Sequence, residues 1–288
     1  MGSRLVRGLV EKGEKVRVLT LPNDPFVSRL DGLGVDIRYG DISKAETLAG
    51  IFDGVKTTYH LAAILIHKNP EMFEKINVNG TRNIMEGSIA AGVEHMILVS
   101  SASVVYNFTT AYSISKQRTE DMIKEQTAMK YTIVRPTLAY NEFGGEEFMM
   151  FQEYLLKYPV VPFIGSGRAL KRPVHVDDLM RGFLAIPGNP KSYGKTYAFS
   201  GGEAIPIWDL AKLMLRHQGV KKLFVPIPIA VCQAIELVMR QFMKKPPLTW
   251  NAIAGVMQDA NLDNSAARED LGYNPIGVRD GLQKCFPI

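Results

Sequence analysis

Tyr112 and Lys116 stand four residues apart in the stretch HMILVSSASVVYNFTTAYSISK, residues 95–116. Positions i and i+4 share one face of a helix, so a phenol and an ammonium at this spacing can point into one site. A free tyrosine titrates near pKa ~10, too high for a base at neutral pH, and a nearby positive charge favours its phenolate. Ser101 precedes Tyr112 and follows the apolar run Met96-Ile97-Leu98-Val99 and Ser100. If that run is a buried strand, both serines lie at its carboxyl end, where open α/β sheets bind ligands. Hydroxyl, phenol and ammonium together could move a proton to or from a substrate oxygen. The plain alternative is a surface helix with an ordinary Tyr and Lys, so the reading depends on the elements around the pair.

Those elements alternate. The stripe Leu5, Val6, Leu9, Val10 predicts an amphipathic helix over 2–13, ended by Gly13. Strands are expected at 16–19, 35–39, 57–61, 95–100 and 131–134. Helices are expected at 44–52 (capped by Ser43), 71–92 and around Tyr112 and Lys116. This alternation predicts an α/β fold with a doubly wound parallel sheet. After Tyr140, Pro and Gly become more frequent. Helices at 177–186, 207–218, 229–243 and 247–258 alternate there with short strands near 172–176, 196–200 and 222–226, which reads as a smaller lobe joined without a clean linker.

The composition is that of a globular protein, 46% apolar and 22% charged, with a net charge of +5. The charges are scattered, which accommodates anionic ligands without indicating nucleic acid. Cys232 and Cys285 have neither a disulfide framework nor metal-ligand spacing, so no metal is expected and a reducing cytoplasm fits. No apolar run reaches the ~18 residues of a membrane-spanning helix, and the N-terminal stretch is too charged for a secretory signal.

Seven short motifs then fall in a familiar order: Gly40-Asp41-Ile42, His60-Leu61-Ala62-Ala63, Asn77-Val78-Asn79-Gly80-Thr81, Ser100-Ser101, Tyr112-Ser113-Ile114-Ser115-Lys116, Arg135-Pro136-Thr137 and His175-Val176-Asp177-Asp178. With the ending Asp263–Tyr273, the chain resembles the extended short-chain dehydrogenases/reductases, the NAD-dependent epimerase/dehydratase group, over essentially its whole length. The resemblance implies a Rossmann-type dinucleotide-binding domain over 1–140 and a substrate-binding lobe over 141–288. It implies Tyr112 as catalytic acid/base, Lys116 as the charge beside it and a ligand of the nicotinamide ribose, Ser101 as the hydrogen-bond partner of the substrate oxygen, and Asn77 as an ordering residue. It further implies cofactor contacts at Gly2, Thr20, Asp41, Ile42, Leu61, Ala62, Ala63, Ser100 and Pro136, and substrate contacts at Ser103, Lys171 and Arg172. A homodimer through helices near 71–92 and 110–127 is common in the group.

The chain departs from the group in three places. Gly2 aligns with the last glycine of the Gly-x-x-Gly-x-x-Gly turn, so a first strand and two glycines are expected upstream in the native protein. The interval from Ser101 to Tyr112 is short. The end of the second strand of such a fold reads Thr20-Leu21, with neither the acid that selects NAD nor the cation that selects NADP. The lack of a cation favours NAD and leaves NADP open.

Dehydratases of the group carry Asp-Glu after the catalytic Ser/Thr; here Ala102-Ser103 follows, which argues against dehydration. A nucleotide-sugar epimerase or oxidoreductase needs cations for the diphosphate, and Lys171 and Arg172, with Arg168, are the candidates unless they are simply solvated. The alternative is a hydroxyl/ketone dehydrogenase-reductase acting on an apolar, sterol- or flavonoid-like small molecule. A non-catalytic cofactor-binding relative is a third reading, which the intact Tyr112/Lys116 pair opposes. The apolar segment Ile227–Met243, followed by Lys244-Lys245-Pro246-Pro247-Leu248-Thr249, is expected to be a core helix. Its alternatives are the lining of a lipophilic pocket or a peripheral contact with a membrane surface.

Overall fold

The structure, a computed structural model, describes residues 1–142, 145–243 and 250–285. Helix α1 (Gly2–Glu11) buries Leu5 and Val6. It is followed by β1 (Arg17–Thr20), β2 (Asp36–Tyr39) and β3 (Thr57–His60). A π-helical segment (Phe73–Asn79) runs directly into α2 (Gly80–Ala90). Strand β4 (His95–Val99) is buried at all five residues, as a central parallel strand covered on both faces must be. Helix α3 (Ala111–Glu125) opens with a capping box, in which Thr110 and Ser113 satisfy each other's backbone N–H groups. Then come β5 (Lys130–Pro136), the short β6 (Ala139–Tyr140), α4 (Glu146–Lys157), β7 (Val160–Ile164), the short β8 (Leu170–Lys171) and β9 (Val174–His175), and α5 (Val176–Leu184). The chain ends with β10 (Lys195–Phe199), β11 (Ile205–Pro206), α6 (Ile207–His217), β12 (Leu223–Ile227), α7 (Ile229–Phe242), α8 (Trp250–Met257), α9 (Ser265–Leu271) and α10 (Val278–Cys285).

The central sheet has the order β10-β5-β4-β3 and is wholly parallel, with Ile97 of β4 opposite Tyr59 of β3 and Thr132 of β5. Strands β1 and β2 form a separate parallel pair, and no described strand joins β1 to β3. Helices α1, α5 and α9 cover one side through Leu5, Leu179, Phe183 and Ala267, packed with Ile97 and Val99. On the other side Ile42, Phe52, Ile84 and Ile123 pack with Met96 and Leu98. Helices thus lie on both faces of a parallel Rossmann-like sheet, the α/β class expected.

Two expectations need correction. The segment 44–52 is not a helix. Ser43 gives both its N–H (2.9 Å) and its hydroxyl (2.8 Å) to Asp41 in a local turn, leaving only a 3₁₀ turn at Ala45–Leu48. Its apolar residues Leu48, Ile51 and Phe52 are still buried, which is what the helical pattern had sensed. Strand β10, from beyond residue 140, pairs with β5 in register Tyr197↔Val134, so the sheet draws on both sides of that position. Finally, α7 is not a core helix: Cys232 is its one residue recorded as buried, and Phe242 is 82% exposed. The stretch Lys244–Thr249 lies outside the described residues, as do the first three positions of the helix expected at 247–258.

The lobe has its own core of Phe148, Leu155, Val161, Phe163, Leu210, Met214 and Leu282, supplied by α4, β7, α6 and α10. Strands β7 and β12 pair in parallel beside it.

Candidate functional site

Because β3, β4 and β5 are parallel and in register, their carboxyl ends share one edge of the sheet. Leu61-Ala62-Ala63, Ser100-Ser101 and Pro136 therefore follow one another along it. Ser101 leaves β4 in an extended conformation and caps a 3₁₀ turn (Ala102–Val105). Its Oγ accepts from Ser103 N at 3.1 Å and from Ser103 Oγ at 2.9 Å. Receiving two donors leaves the Ser101 hydroxyl proton free to be given elsewhere.

Tyr112 lies in the first turn of α3, with its ring edge-on to Phe73 at 6.4 Å between centroids. Burial pushes its phenol up to about 12; a side-chain hydrogen bond with Ser101 pulls the other way, and the Glu147 carboxylate adds to the rise. Ser101 and Tyr112 are thus within hydrogen-bond reach of one another. The phenol is held protonated, however. The expected lowering by Lys116 is absent from the groups acting on it, and desolvation of the phenolate dominates.

Lys116 is one turn further along the same helix face and only 2% exposed. Burial lowers its ammonium to about 8, with Glu120 partly offsetting the shift. No hydrogen bond from its Nζ is found among the described residues, and the atom is not one of the fully enclosed polar atoms left without a partner, so the ammonium still reaches open space. Hydroxyl oxygens of a ligand entering that space could accept from it. Behind it, His60 is driven down to about 3 by burial and by Lys116, and bonds Thr81 at 2.8 Å. That histidine is neutral and structural.

Asn77 ends up in the buried π-helical segment. Its Oδ1 accepts from Ile64 N (2.9 Å), and its Nδ2 donates to Ile64 O (3.1 Å) and Ser115 Oγ (2.9 Å). It ties the chain beyond β3 to the helix carrying Tyr112 and Lys116. A π-helical register is a frequent local device where a side chain must be aimed.

The remaining cofactor positions divide. Ala62 and Ala63 are exposed, so their backbone is open to close approach. A Cβ built on Gly2 at the start of α1 would meet nothing within 4 Å, so that end is open too. Asp41 receives Ser43, while Ile42 is buried against Gly80 and its carbonyl accepts from Asn83 at 2.8 Å. Pro136 is buried at the end of β5. Ser100 turns inward: its hydroxyl donates to Glu120 at 2.6 Å, leaving backbone alone for a ligand. Thr20 donates to Asp24 Oδ2 at 2.7 Å. Asp24 was missed by sequence reasoning, because the acid stands four residues beyond the strand end rather than on it. Next to it, Pro22, Asn23, Val27 and Tyr39 line an open depression of about 440 Å³. Gly2, Thr20 with Asp24, Ala62-Ala63 and the unpartnered Lys116 fit a dinucleotide laid along this edge.

The substrate-side cations are placed elsewhere. Lys171 is buried, and its Nζ donates to Gly255 O at 2.8 Å and to Gln258 O, closing the end of α8. Burial lowers its ammonium to about 8. Arg172 donates to Gly201 O at 2.8 Å and to Leu262 O at 3.1 Å. Both cations are engaged by backbone carbonyls, Lys171 buried and Arg172 half-buried. The loop between Ser101 and Tyr112 is also anchored. With the Gln258 amide oxygen turned toward it, Asn107 N and Phe108 N donate at 2.7 and 2.8 Å. Among the described residues no cluster of His, Cys, Asp or Glu has metal-binding geometry.

The chain is similar to known proteins over essentially its whole length. The 3-beta hydroxysteroid dehydrogenase/isomerase family model matches residues 1–135. Sterol demethylase protein B of Methylococcus capsulatus is 36% identical over 310 residues, covering 97% of this chain and 92% of that protein. A 3 beta-hydroxysteroid dehydrogenase/Delta 5-->4-isomerase of Mycobacterium tuberculosis is 24% identical over 334 residues, covering 100% and 87%. Among solved structures, a UDP-glucose 4-epimerase of Thermotoga maritima superposes with a TM-score of 0.76 at 21% identity, covering 99% of this chain and 94% of that one. The last likeness establishes the fold.

Proposed function

The chain belongs to the extended short-chain dehydrogenase/reductase family, the NAD-dependent epimerase/dehydratase group, and from that premise we propose that it interconverts a secondary hydroxyl and a ketone on an apolar, sterol-like small molecule. The observation that carries the choice of substrate is the engagement of Lys171 and Arg172 by backbone carbonyls, which removes the two cations a nucleotide diphosphate was expected to use. The names of the two relatives above, one a sterol and one a steroid enzyme, support the same choice.

NAD, when bound, supplies or accepts the hydride. Lys116 Nζ would hold ribose hydroxyls of NAD, and Asp24, steadied by Thr20, would take those of the other ribose, which favours NAD over its 2′-phosphorylated form. In the reductive direction Tyr112 gives its phenolic proton to the carbonyl oxygen as that oxygen becomes a hydroxyl, and Ser101 donates a hydrogen bond to the same oxygen. A phenol pushed up to about 12 is well suited to the acid role. Ser103 fixes the Ser101 hydroxyl so that its proton points outward. A homodimer would use the outer faces of α3 and of 73–90, where Ile114 is half exposed. The two unpaired, buried thiols suit a reducing compartment.

The test is a reduced-nicotinamide absorbance assay with steroid and long-chain apolar alcohols set against UDP-sugars. Turnover of an apolar alcohol, lost by at least ~100-fold in Tyr112→Phe, is expected. Turnover confined to UDP-sugars would overturn the substrate reading, and full activity in Tyr112→Phe would overturn the acid assignment.

A further inference from the structure

Helix α7 is turned inside out. Its protein-facing stripe is Ile229, Cys232, Glu236 and Met239, all buried or half-buried, with a carboxylate among them. Its outward stripe is Val231, Ile235, Val238 and Phe242, spaced by four, three and four residues and all exposed, with Leu237 alongside. An ordinary surface helix places these groups the other way round. The strand before it repeats the pattern. Leu223 and Val225 of β12 lie opposite Val160 and Pro162 of β7, and Leu223, Val225 and Val160 are exposed, while Phe224 and Phe163 on the other face pack with Trp208.

Charge is equally segregated. Between Leu210 and Gln258 the sequence holds seven Lys and Arg residues and a single acid, Glu236. The rest of the chain therefore has a net charge of −1, and this region carries the whole of the protein's positive excess. Of these cations, Lys212, Arg216 and Lys221 are exposed. An apolar surface in a sequence region of net positive charge matches the boundary between headgroups and acyl chains of a bilayer containing anionic lipid, where each basic residue near the surface adds attraction. A second copy of the chain would bring the same positive excess against itself, so charge disfavours it as the occupant. At 14 residues α7 is too short to cross a bilayer, and no described helix is long and apolar enough to do so.

We propose that the outward face of α7, with the exposed face of β12 and β7, docks the protein peripherally on a membrane bearing anionic lipids, α7 lying in the interface plane. The proposal is independent of the substrate reading, since none of these residues belongs to the Ser101–Tyr112–Lys116 group.

Co-sedimentation of the full chain with vesicles tests it. Vesicles of phosphatidylcholine mixed with phosphatidylglycerol should bind the protein at least ~10-fold more tightly than phosphatidylcholine alone, and added salt should erase much of the difference. Phe242→Asp and Val238→Asp should each weaken binding by about tenfold or more, and Lys221→Glu by severalfold. Because these side chains are exposed, the variants should keep the parent melting temperature and activity toward a water-soluble alcohol. Lack of binding, equal binding to both vesicle types, or binding unaffected by both α7 substitutions would overturn the proposal. So would a dimer in vesicle-free sedimentation velocity that Phe242→Asp dissolves, which would give the face to a second copy.

Discussion

Two buried charges sit one turn apart on α3 and are treated in opposite ways. The Glu120 side chain is fully buried and saturated: Arg135 reaches it with Nε at 2.8 Å and Nη2 at 2.6 Å, Ser100 with Oγ at 2.6 Å and Lys124 with Nζ at 3.2 Å. Burial pushes its carboxyl up, yet Arg135 and Ser100 together, with help from Lys124, hold it below the usual range. Lys116 is buried just as deeply, has no hydrogen-bond partner for its ammonium, and is lowered to about 8. A saturated charge fixes structure: Glu120 joins α3 to the ends of β4 and β5. A charge with donors to spare can still take a ligand's oxygens.

Four substitutions can break or sharpen that contrast. The largest effect is expected from Arg135→Ala, which leaves Glu120 buried without its bidentate partner and should lower stability by roughly 3–5 kcal/mol in urea unfolding. Lys116→Met should move the other way. A folded-state value near 8 against an ordinary 10.5 means the unfolded chain binds this proton more tightly. The charged ammonium therefore costs the folded protein on the order of 3 kcal/mol at pH 7. Stability of the parent should rise with pH between about 8 and 10.5, and the methionine variant should be more stable at pH 7, lack that rise, and be inactive. Melts at pH 7 and pH 10 would check both, and a destabilised Lys116→Met would contradict the contrast directly. Ser100→Ala removes one donor from Glu120 and should cost about 1.5–3 kcal/mol. Lys124→Ala removes the outermost partner, partly exposed to solvent, and should shift the melting midpoint by well under ~1 kcal/mol equivalent.

The same helix shows how much of the site was legible in sequence. Tyr112 and Lys116 could be read because helical spacing is local and fixed. Glu120 is one further step of four along the same face and went unread, since its meaning depends on Arg135 and Ser100, brought to it only by the sheet. Asp24 was overlooked for a similar reason: it returns to the strand end through a turn that Thr20 helps hold. Lys171 and Arg172 were read as cations for a diphosphate, and no pattern could say that carbonyls of α8 and of the 201 and 262 loops would claim them. Most strands were evident from β-type runs. The helices α4, α9 and α10 and the strand β7 were not expected. The apolar run of α7 was read as a core helix because residue type reports what could be buried, while exposure depends on what packs against it.

The pairing of β10 with β5 has a consequence for synthesis. As the chain emerges from the ribosome, β3, β4 and β5 can assemble while β10, nearly sixty residues further on, has yet to appear. Until it does, β5 presents an open row of backbone donors and acceptors on apolar residues, the kind of edge on which nascent chains stick to one another. A fragment ending at Tyr140 would carry that edge permanently. The segment beyond Tyr140 is thus what closes the sheet, and chain delivery sets when that happens.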